Sequence, residues 1–260
     1  MNAAPDPSIT VRLDDRPQGL VAHVTIDNAA KLNTLGHALM IAFIERVEAL
    51  AARDDLRAVV LTGAGEKAFI GGANIREMAT LTQDGATAFI TLVHRCCDAL
   101  RALPVPVIAR INGYTLGAGL EVAAACDLRV ASSNAVFGMP EVKVGIPSVV
   151  EAALLPGLIG WGRTRELLLF GENIDAATAL SWGLVEQVVS PSDLDAAIEA
   201  RLAVLLANGP EAVRLQKALI RRWEDLDLSQ AVSAGIESFT QAYATDEPTR
   251  MMSGFGKKRS

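Results

Sequence analysis

The segment Val105–Glu121 has the sequence VPVIARINGYTLGAGLE and decides the fold. Its first part, Val105–Ile111, is an apolar run of the length and composition of a buried strand. Glycines then mark a turn, and the apolar residues Leu120–Ala125 predict a helix. A buried strand that leads through a turn into a helix is the repeating unit of α/β proteins. We therefore expect further units of this kind along the chain.

The same alternation of strand and helix precedes this segment. Apolar runs at Leu20–Ile26 and Arg57–Thr62 predict two further strands. Between them a helix is expected, with Asn33 or Thr34 as its N-cap. The apolar face of this helix would consist of Leu35, Leu39, Phe43, Val47 and Leu50. These elements predict an α/β core with helical connections between strands.

Prolines and glycines mark the ends of the remaining predicted helices. One helix is predicted from about Gln83 to Leu103, where Pro104-Val-Pro106 ends it. Beyond about residue 190 the sequence predicts only helices, at Ser190–Asn208, Pro210–Trp223, Leu228–Tyr243 and Asp246–Met252. We therefore divide the chain into a core, residues 1–190, and a helical C-terminal region, residues 191–260. Apolar faces on such a region often pack against neighbouring subunits.

The composition limits the classes of function. The chain has 260 residues, half of them hydrophobic, and a net charge of −6. This acidic balance and the lack of a basic stripe disfavour nucleic acid, including RNA, as a partner. No signal-like N-terminus or bilayer-spanning apolar run is found, so no membrane association is expected. Three cysteines do not make a disulfide framework, which favours the cytoplasm.

Common cofactor and nucleophile motifs are absent from the sequence. The glycine stretches lack the spacing of G-x-G-x-x-G and the Lys-Ser or Lys-Thr of a P-loop, and there is no G-x-S-x-G elbow. His23, His37 and His94 are scattered without metal-ligand spacing, and ordinary surface or core roles are expected for each. No metal site is predicted.

Two glutamates are unusual because they lie in nearly uncharged, apolar segments. Glu121 follows the glycine-rich turn, and Glu141 ends the run Phe137-Gly-Met-Pro-Glu141. A carboxylate in such surroundings is costly unless it is paired or used, so the two indicate acid/base chemistry. Taken singly, each could instead be a first-turn glutamate that complements a helix N-terminus.

The glycine turns also offer backbone donors. Ala118 lies in Gly117-Ala118-Gly119, immediately before the predicted helix Leu120–Ala125, and Ala73 lies in the loop Gly71-Gly72-Ala73-Asn74 before a second helical segment. The first amides of a helix have no internal partner, so the Ala73 and Ala118 N–H groups together could form an oxyanion hole. Two ordinary tight turns are the alternative.

With these segments in order, the chain resembles the enoyl-CoA hydratase/isomerase (crotonase) superfamily from about residue 10 to its end. The markers are Asn28-Ala-Ala-Lys-Leu-Asn33, Arg57-Ala-Val-Val-Leu-Thr-Gly-Ala-Gly65, Lys67-Ala-Phe-Ile-Gly-Gly-Ala-Asn74, Pro106-Val-Ile-Ala-Arg-Ile-Asn-Gly113, Leu116-Gly-Ala-Gly-Leu-Glu121, Ala125-Cys-Asp-Leu-Arg129 and Phe137-Gly-Met-Pro-Glu141. The resemblance implies a spiral of ββα units and a helical C-terminal region that builds homotrimers or hexamers. It also implies an acyl-CoA substrate and no metal or redox cofactor, coenzyme A being part of the substrate.

The resemblance also assigns residues. The amides of Ala73 and Ala118 would stabilise a thioester enolate. Contacts to coenzyme A and substrate would come from Lys31, Leu32, Ala73, Asn74, Ile75, Arg76, Phe255 and Lys258. Hydratases of this family carry glutamates matching both Glu121 and Glu141, whereas isomerases usually keep only the second. The resemblance therefore implies hydration of a 2-enoyl-CoA, in which Glu121 accepts the proton of water and Glu141 protonates the α-carbon.

Other activities of the same fold stay open at this point. They are an enoyl-CoA isomerase that uses Glu141 alone, a thioester hydrolase, and a silent acyl-CoA-binding oligomer. One segment departs from the family pattern: Val149, Val150 and Glu151 stand where small residues are common, beside the expected acyl pocket. We interpret this as a preference for a short or unusual acyl chain, such as methylthioacryloyl. Arg163 and Arg165 could pair with Glu151 or lie on a solvated helix face.

Overall fold

The computed structural model describes residues 6–253, which form two sheets surrounded by helices. The strands are β1 (Ser8–Arg16), β2 (Gly19–Asp27), β3 (Leu56–Gly63), β4 (Ala68–Ile70), β5 (Val107–Ile111), β6 (Tyr114–Leu116), β7 (Leu128–Ser132), β8 (Val136–Gly138), β9 (Ile174–Asp175) and β10 (Gln187–Val189). The α-helices are α1 (His37–Ala51), α2 (Ile75–Met78), α3 (Gln83–Ala102), α4 (Ala118–Ala125), α5 (Leu155–Phe170), α6 (Ala176–Trp182), α7 (Leu194–Leu206), α8 (Pro210–Asp225), α9 (Leu228–Ala242) and α10 (Glu247–Ser253). Short 3₁₀ helices lie at Ala29–Lys31, Pro140–Val144, Val150–Leu154 and Pro191–Asp193.

From β3 to β8, successive strands alternate between the two sheets. The larger sheet has the order β1-β2-β3-β5-β7-β10 and is parallel except for the β1–β2 hairpin. The smaller sheet has the order β4-β6-β8-β9, with only β9 antiparallel. The pairs β3/β4, β5/β6 and β7/β8 thus each place one strand in either sheet before the chain turns helical. This repetition is the predicted spiral of ββα units.

Helices cover both faces of the larger sheet, as parallel sheets require. One face packs against α7 through Leu194, Ile198 and Leu202. The other joins a larger core that includes α1, α3 and α4. The glycine turns at Gly71-Gly72 and Gly117 follow the neighbouring parallel strands β4 and β6, so they lie at the same edge of the smaller sheet.

The predicted start of the first helix is wrong. The helix α1 begins at His37 with Gly36 as its N-cap. Asn33 instead has a left-handed backbone (φ 56°) and a fully buried side chain. Its amide nitrogen donates to the carbonyls of Ala64 (3.0 Å) and Ala68 (2.8 Å), so it joins two loops rather than capping a helix.

The C-terminal region is helical, as predicted. Lys217 of α8 is buried and donates to the Val105 carbonyl and the Asp127 carboxylate, both at 2.8 Å, which fastens α8 to the core. A stripe of exposed apolar side chains follows α9 and consists of Leu228, Val232, Ile236, Phe239 and Tyr243. None of the helices formed by residues 6–253 has the length and apolar character needed to cross a membrane.

Candidate active site

A cavity of about 640 Å³ brings together the two unusual glutamates and the two predicted amide donors. Glu121, Glu141, Ala73 and Ala118 all line it. Most of the remaining wall is apolar and includes Met78, Leu81, Phe89, Ile90, Val93 and Ile146. The cavity therefore combines a polar end with room for an apolar group.

Tight packing fixes the position of Glu121. All eight residues of α4 are buried, and Glu121 itself is only 4% exposed. The helix can approach the smaller sheet this closely because Gly119 has no side chain: a Cβ there would lie 2.1 Å from the Ile70 carbonyl oxygen. Gly117, the N-cap, has a φ of 51° that favours glycine.

Burial makes Glu121 a weaker acid than an exposed glutamate. The pKa of Glu121 is raised to about 8, chiefly by loss of solvent and, to a smaller extent, by the negative charge of Glu141. Backbone N–H groups of Ala152 and Val149 lower this pKa by a smaller amount. Burial therefore favours the protonated form of Glu121 in the free protein.

Glu141 is held in a different way. It lies in the first turn of the 3₁₀ helix Pro140–Val144, directly after β8. The hydroxyl of Ser148 donates a hydrogen bond of 2.8 Å to its Oε2. Its Oε1 lies against Gly117, where a Cβ would come within 2.3 Å. Glu141 thus contacts the start of the helix that carries Glu121.

The Ala73 and Ala118 amides have no acceptor among the residues that the structure describes. Ala118 is the first residue of α4, and Ala73 follows Gly72, whose φ is 113°. Within residues 6–253, neither N–H donates a hydrogen bond to another protein group. Both are therefore free to bind an oxygen atom in the cavity.

Backbone hydrogen bonds fix the Ala73 loop against the segment after β2. Gly71 N–H donates to Leu32 O (2.8 Å), and Asn74 N–H donates to Leu35 O (2.8 Å). The Asn74 side chain caps α2 and donates to Glu77 (2.7 Å), whose carboxylate also accepts from the His37 N–H (2.8 Å). The loop that carries this amide is therefore held from both sides.

The family model for enoyl-CoA hydratase/isomerase matches residues 16–260. The chain belongs to this family. It is 37% identical over 243 residues to a short-chain-enoyl-CoA hydratase of Clostridium acetobutylicum, covering 93% of each chain. It is 34% identical to a crotonyl-CoA hydratase of Syntrophomonas wolfei, covering 92% of each. The crystal structure of an enoyl-CoA hydratase from Bacillus anthracis superposes with a TM-score of 0.90 at 31% identity and covers 96% of both chains.

Membership of the enoyl-CoA hydratase/isomerase family confirms the predicted fold class. The structure also locates the residues that the resemblance assigned. Glu121, Glu141, Ala73, Ala118, Ile75 and Val149 line one cavity. Lys31, Leu32, Asn74, Arg76, Val150 and Glu151 are not among its lining residues. Phe255 and Lys258 lie outside the described residues.

Glu151 contacts neither arginine that the sequence offered as a partner. Its Oε1 lies 2.7 Å from Nδ1 of His94 on α3. Arg163 instead donates to the Trp182 carbonyl, and the Arg165 guanidinium lies over the Trp161 ring. The two arginines are exposed, so the solvated-face alternative is the one observed.

Sequence reasoning missed three residues that shape the site. Ser148 donates a hydrogen bond to Glu141 and lies only seven residues after it. A hydroxyl residue so close in sequence to a candidate acid is a signal that could have identified it. Gly117 was treated as a turn, but its missing side chain also makes room for Glu141. His94 gave no local signal, because it lies 57 residues before its partner Glu151.

Proposed function

We propose that this protein is an enoyl-CoA hydratase, which adds water across the 2,3 double bond of a 2-enoyl-CoA thioester. The observation that carries the proposal is that two carboxyl groups and two unpaired backbone amides line one largely apolar cavity. Relatives that are named hydratases and match more than nine-tenths of the chain support it.

Addition of water to an enoyl thioester builds up negative charge on the thioester oxygen. As the water oxygen bonds to the β-carbon, the electron pair of the double bond shifts to the thioester oxygen and forms an enolate. The Ala73 and Ala118 amides would bind this oxygen, and loss of one such donor costs roughly 3–4 kcal/mol of transition-state stabilisation. The reaction ends when the α-carbon takes up a proton and the enolate charge disappears.

The glutamate pair needs one proton for this cycle. One carboxylate takes a proton from water while the other carboxyl group gives a proton to the α-carbon, so the pair holds one proton before and after. The resemblance makes Glu121 the base. We assign the roles accordingly: Glu121 accepts a proton from water, and Glu141 delivers one to the α-carbon.

The apolar lining of the cavity favours a substrate with an acyl chain of modest size. Apolar side chains, among them Phe89, Ile90 and Val93, surround the space beyond the carboxyl groups. Val149 adds bulk where the family commonly has small residues, which supports a short or unusual chain such as methylthioacryloyl. The coenzyme A arm would pass Lys31, Leu32 and the loop Asn74–Arg76, which lie next to the Ala73 amide.

The proposal includes no metal or redox cofactor. Addition of water causes no net oxidation, and the amides supply the charge stabilisation. We also propose that the chain assembles as a homotrimer or hexamer through its C-terminal helices, since the stripe on α9 exposes Leu228, Ile236 and Phe239 by 65% or more. All three cysteines are free and buried, which supports a reducing, cytoplasmic location.

Incubation with crotonyl-CoA, 3-enoyl-CoA and a panel of short unsaturated acyl-CoAs, followed by mass spectrometry, tests the function. Hydration adds the mass of one water, isomerisation converts 3-enoyl to 2-enoyl-CoA without a mass change, and thioester hydrolysis releases free coenzyme A. Binding without any of these products would indicate a silent acyl-CoA-binding protein and would overturn the proposal.

A further inference from the structure

A second cavity lies on the face of the larger sheet that α7 covers, opposite the side that packs against α3 and α4. Strands β1, β2, β3 and β5 line it together with α7. Its volume is about 440 Å³, within the roughly 300–1,000 Å³ that small-molecule sites occupy. None of the residues that line the active-site cavity contributes to it, so its contents need a separate explanation.

The lining of this cavity is polar, whereas the adjoining part of the same sheet face is apolar. Under α7 the face presents buried side chains such as Val21 and Val130. Further along β1, β2 and β3, the directly paired residues Thr10, Thr25 and Thr62 occupy the same face. A sheet face that packs against a helix is expected to be apolar. A row of hydroxyl groups beside a cavity therefore favours a polar ligand.

Arg12 and His23 are direct cross-strand partners next to this row of threonines. The Cβ atoms of residues paired in this way lie about 5 Å apart, on the same face of the sheet. Nε2 of His23 is buried and has no hydrogen-bond partner within the described part of the chain. The Asp14 carboxylate lies 3.7 Å from it, beyond hydrogen-bonding distance. A buried ring nitrogen without a partner is costly, so a ligand that binds the imidazole would remove that cost.

Arginines already neutralise the carboxylates that line the cavity. Asp195 accepts a hydrogen bond of 2.6 Å from Nε of Arg110. Glu199 accepts two from the Arg16 guanidinium, at 2.9 and 3.0 Å. The guanidinium of Arg12, by contrast, has no hydrogen bond or ion pair with any residue between 6 and 253. Arg12 is therefore the positive charge that is left for a ligand.

We propose that this cavity binds a small oxyanion, the phosphoryl or carboxylate group of a metabolite, through Arg12, His23 and the hydroxyls of Thr10 and Thr25. A guanidinium can donate to two oxygens of such a group at once, and an imidazole N–H and a hydroxyl each add one donor. The site is on the opposite face of the larger sheet from Glu121, so its ligand does not contact an acyl-CoA in the active-site cavity.

NMR of the histidine rings in the full-length protein tests the site without any turnover, because the chain has only three histidines. In protein with isotope-labelled histidine, the His23 signal is assigned by its loss in His23→Gln. Inorganic phosphate should shift this signal saturably at an ionic strength held constant with sodium chloride. The signals of His37 and His94, which lie on α1 and α3 on the other side of the sheet, should stay in place.

A parallel titration with acetate distinguishes the two kinds of oxyanion. A saturable His23 shift with phosphate alone identifies a phosphoryl site, and one with acetate identifies a carboxylate site. A His23 signal that neither anion moves, or equal shifts of all three histidines, overturns the proposal.

Arg12→Gln provides a second, independent measurement, in which isothermal titration calorimetry follows the binding of the anion that shifts His23. This variant removes the charged donor, so the affinity should fall at least about tenfold. Arg12 is exposed, and its replacement leaves the core intact. Arg46→Gln, at an exposed arginine of α1, is the matched control and should bind as the wild type does. Equal affinity in Arg12→Gln and the wild type overturns the assignment.

Discussion

Glu121 and Glu141 line the same cavity, but the segments that carry them differ sharply in burial. Every residue of α4 is buried, whereas the 3₁₀ helix Pro140–Val144 has no buried residue. Glu121 is enclosed by the packing of α4, while Glu141 accepts a hydrogen bond from Ser148 and occupies the space beside Gly117. One fold thus provides a desolvated carboxyl group and a partly solvated one.

The difference in burial affects which of the two carboxyl groups holds a proton. Two identical carboxyl groups in identical surroundings would compete for a proton, whereas unequal burial assigns it. The desolvated α4 site favours the neutral form of Glu121, and the neighbouring negative charge of Glu141 strengthens that preference. In the free protein, unequal burial thus favours the proton on Glu121.

The largest expected effect is the loss of either member of the pair. Glu121→Gln and Glu141→Gln should each lower the turnover of the best acyl-CoA substrate at least about a hundredfold, because each removes one proton-transfer step. Initial rates of product formation measure this. Glu45→Gln, on the exposed face of α1, serves as the control and should keep the wild-type rate. Near-normal hydration in either cavity variant would break the assignment of a working pair.

Glu121 and Glu141 should also differ in how they change the pH dependence of the free energy of unfolding. The raised pKa of Glu121 means that the folded protein binds a proton between about pH 4.5 and pH 8 that the unfolded chain releases. Stability is therefore favoured at low pH and lost as the pH rises through this window. Glu121→Gln avoids the loss and should be more stable than the wild type at about pH 9, by on the order of 5 kcal/mol.

Urea unfolding at about pH 9 and about pH 4 measures this prediction. The gain from Glu121→Gln should vanish at the lower pH, where the wild-type carboxyl group is neutral in both states. Glu141→Gln, the matched control in the partly exposed segment, should show a much smaller gain. Equal gains in the two variants would contradict the contrast in burial.

The elements that the sequence predicted best are those whose signals are local. The helix α3 begins at Gln83, as predicted, because Thr82 caps it and its apolar residues repeat at helical spacing. The start of α1 was missed because Asn33, a good N-cap residue, instead binds carbonyl groups 31 and 35 residues away. Long-range hydrogen bonds of this kind override local propensity and leave no periodic trace.

The residues of the candidate site also divide into those with a local sequence signal and those without one. Glu121, Glu141, Ala73 and Ala118 were predicted because acids and glycines in apolar segments are conspicuous locally. Their meeting in one cavity follows from the two-sheet spiral, which no short motif encodes. The pairing of Glu151 with His94 depends on the packing of α3 and could not be predicted from spacing.

The smallest expected effect concerns the single hydrogen bond that orients Glu141. Ser148→Ala removes the hydroxyl that donates to Oε2, and a partly exposed bond to a charged group contributes roughly 1 kcal/mol. We therefore expect kcat to fall about fivefold, with KM and urea stability nearly unchanged, because the segment has no core packing to lose. Ser148→Thr keeps a hydroxyl and should retain most of the rate. If Ser148→Ala turns over as fast as the wild type, Glu141 does not need this bond, and the 3₁₀ segment is more rigid than its exposure indicates.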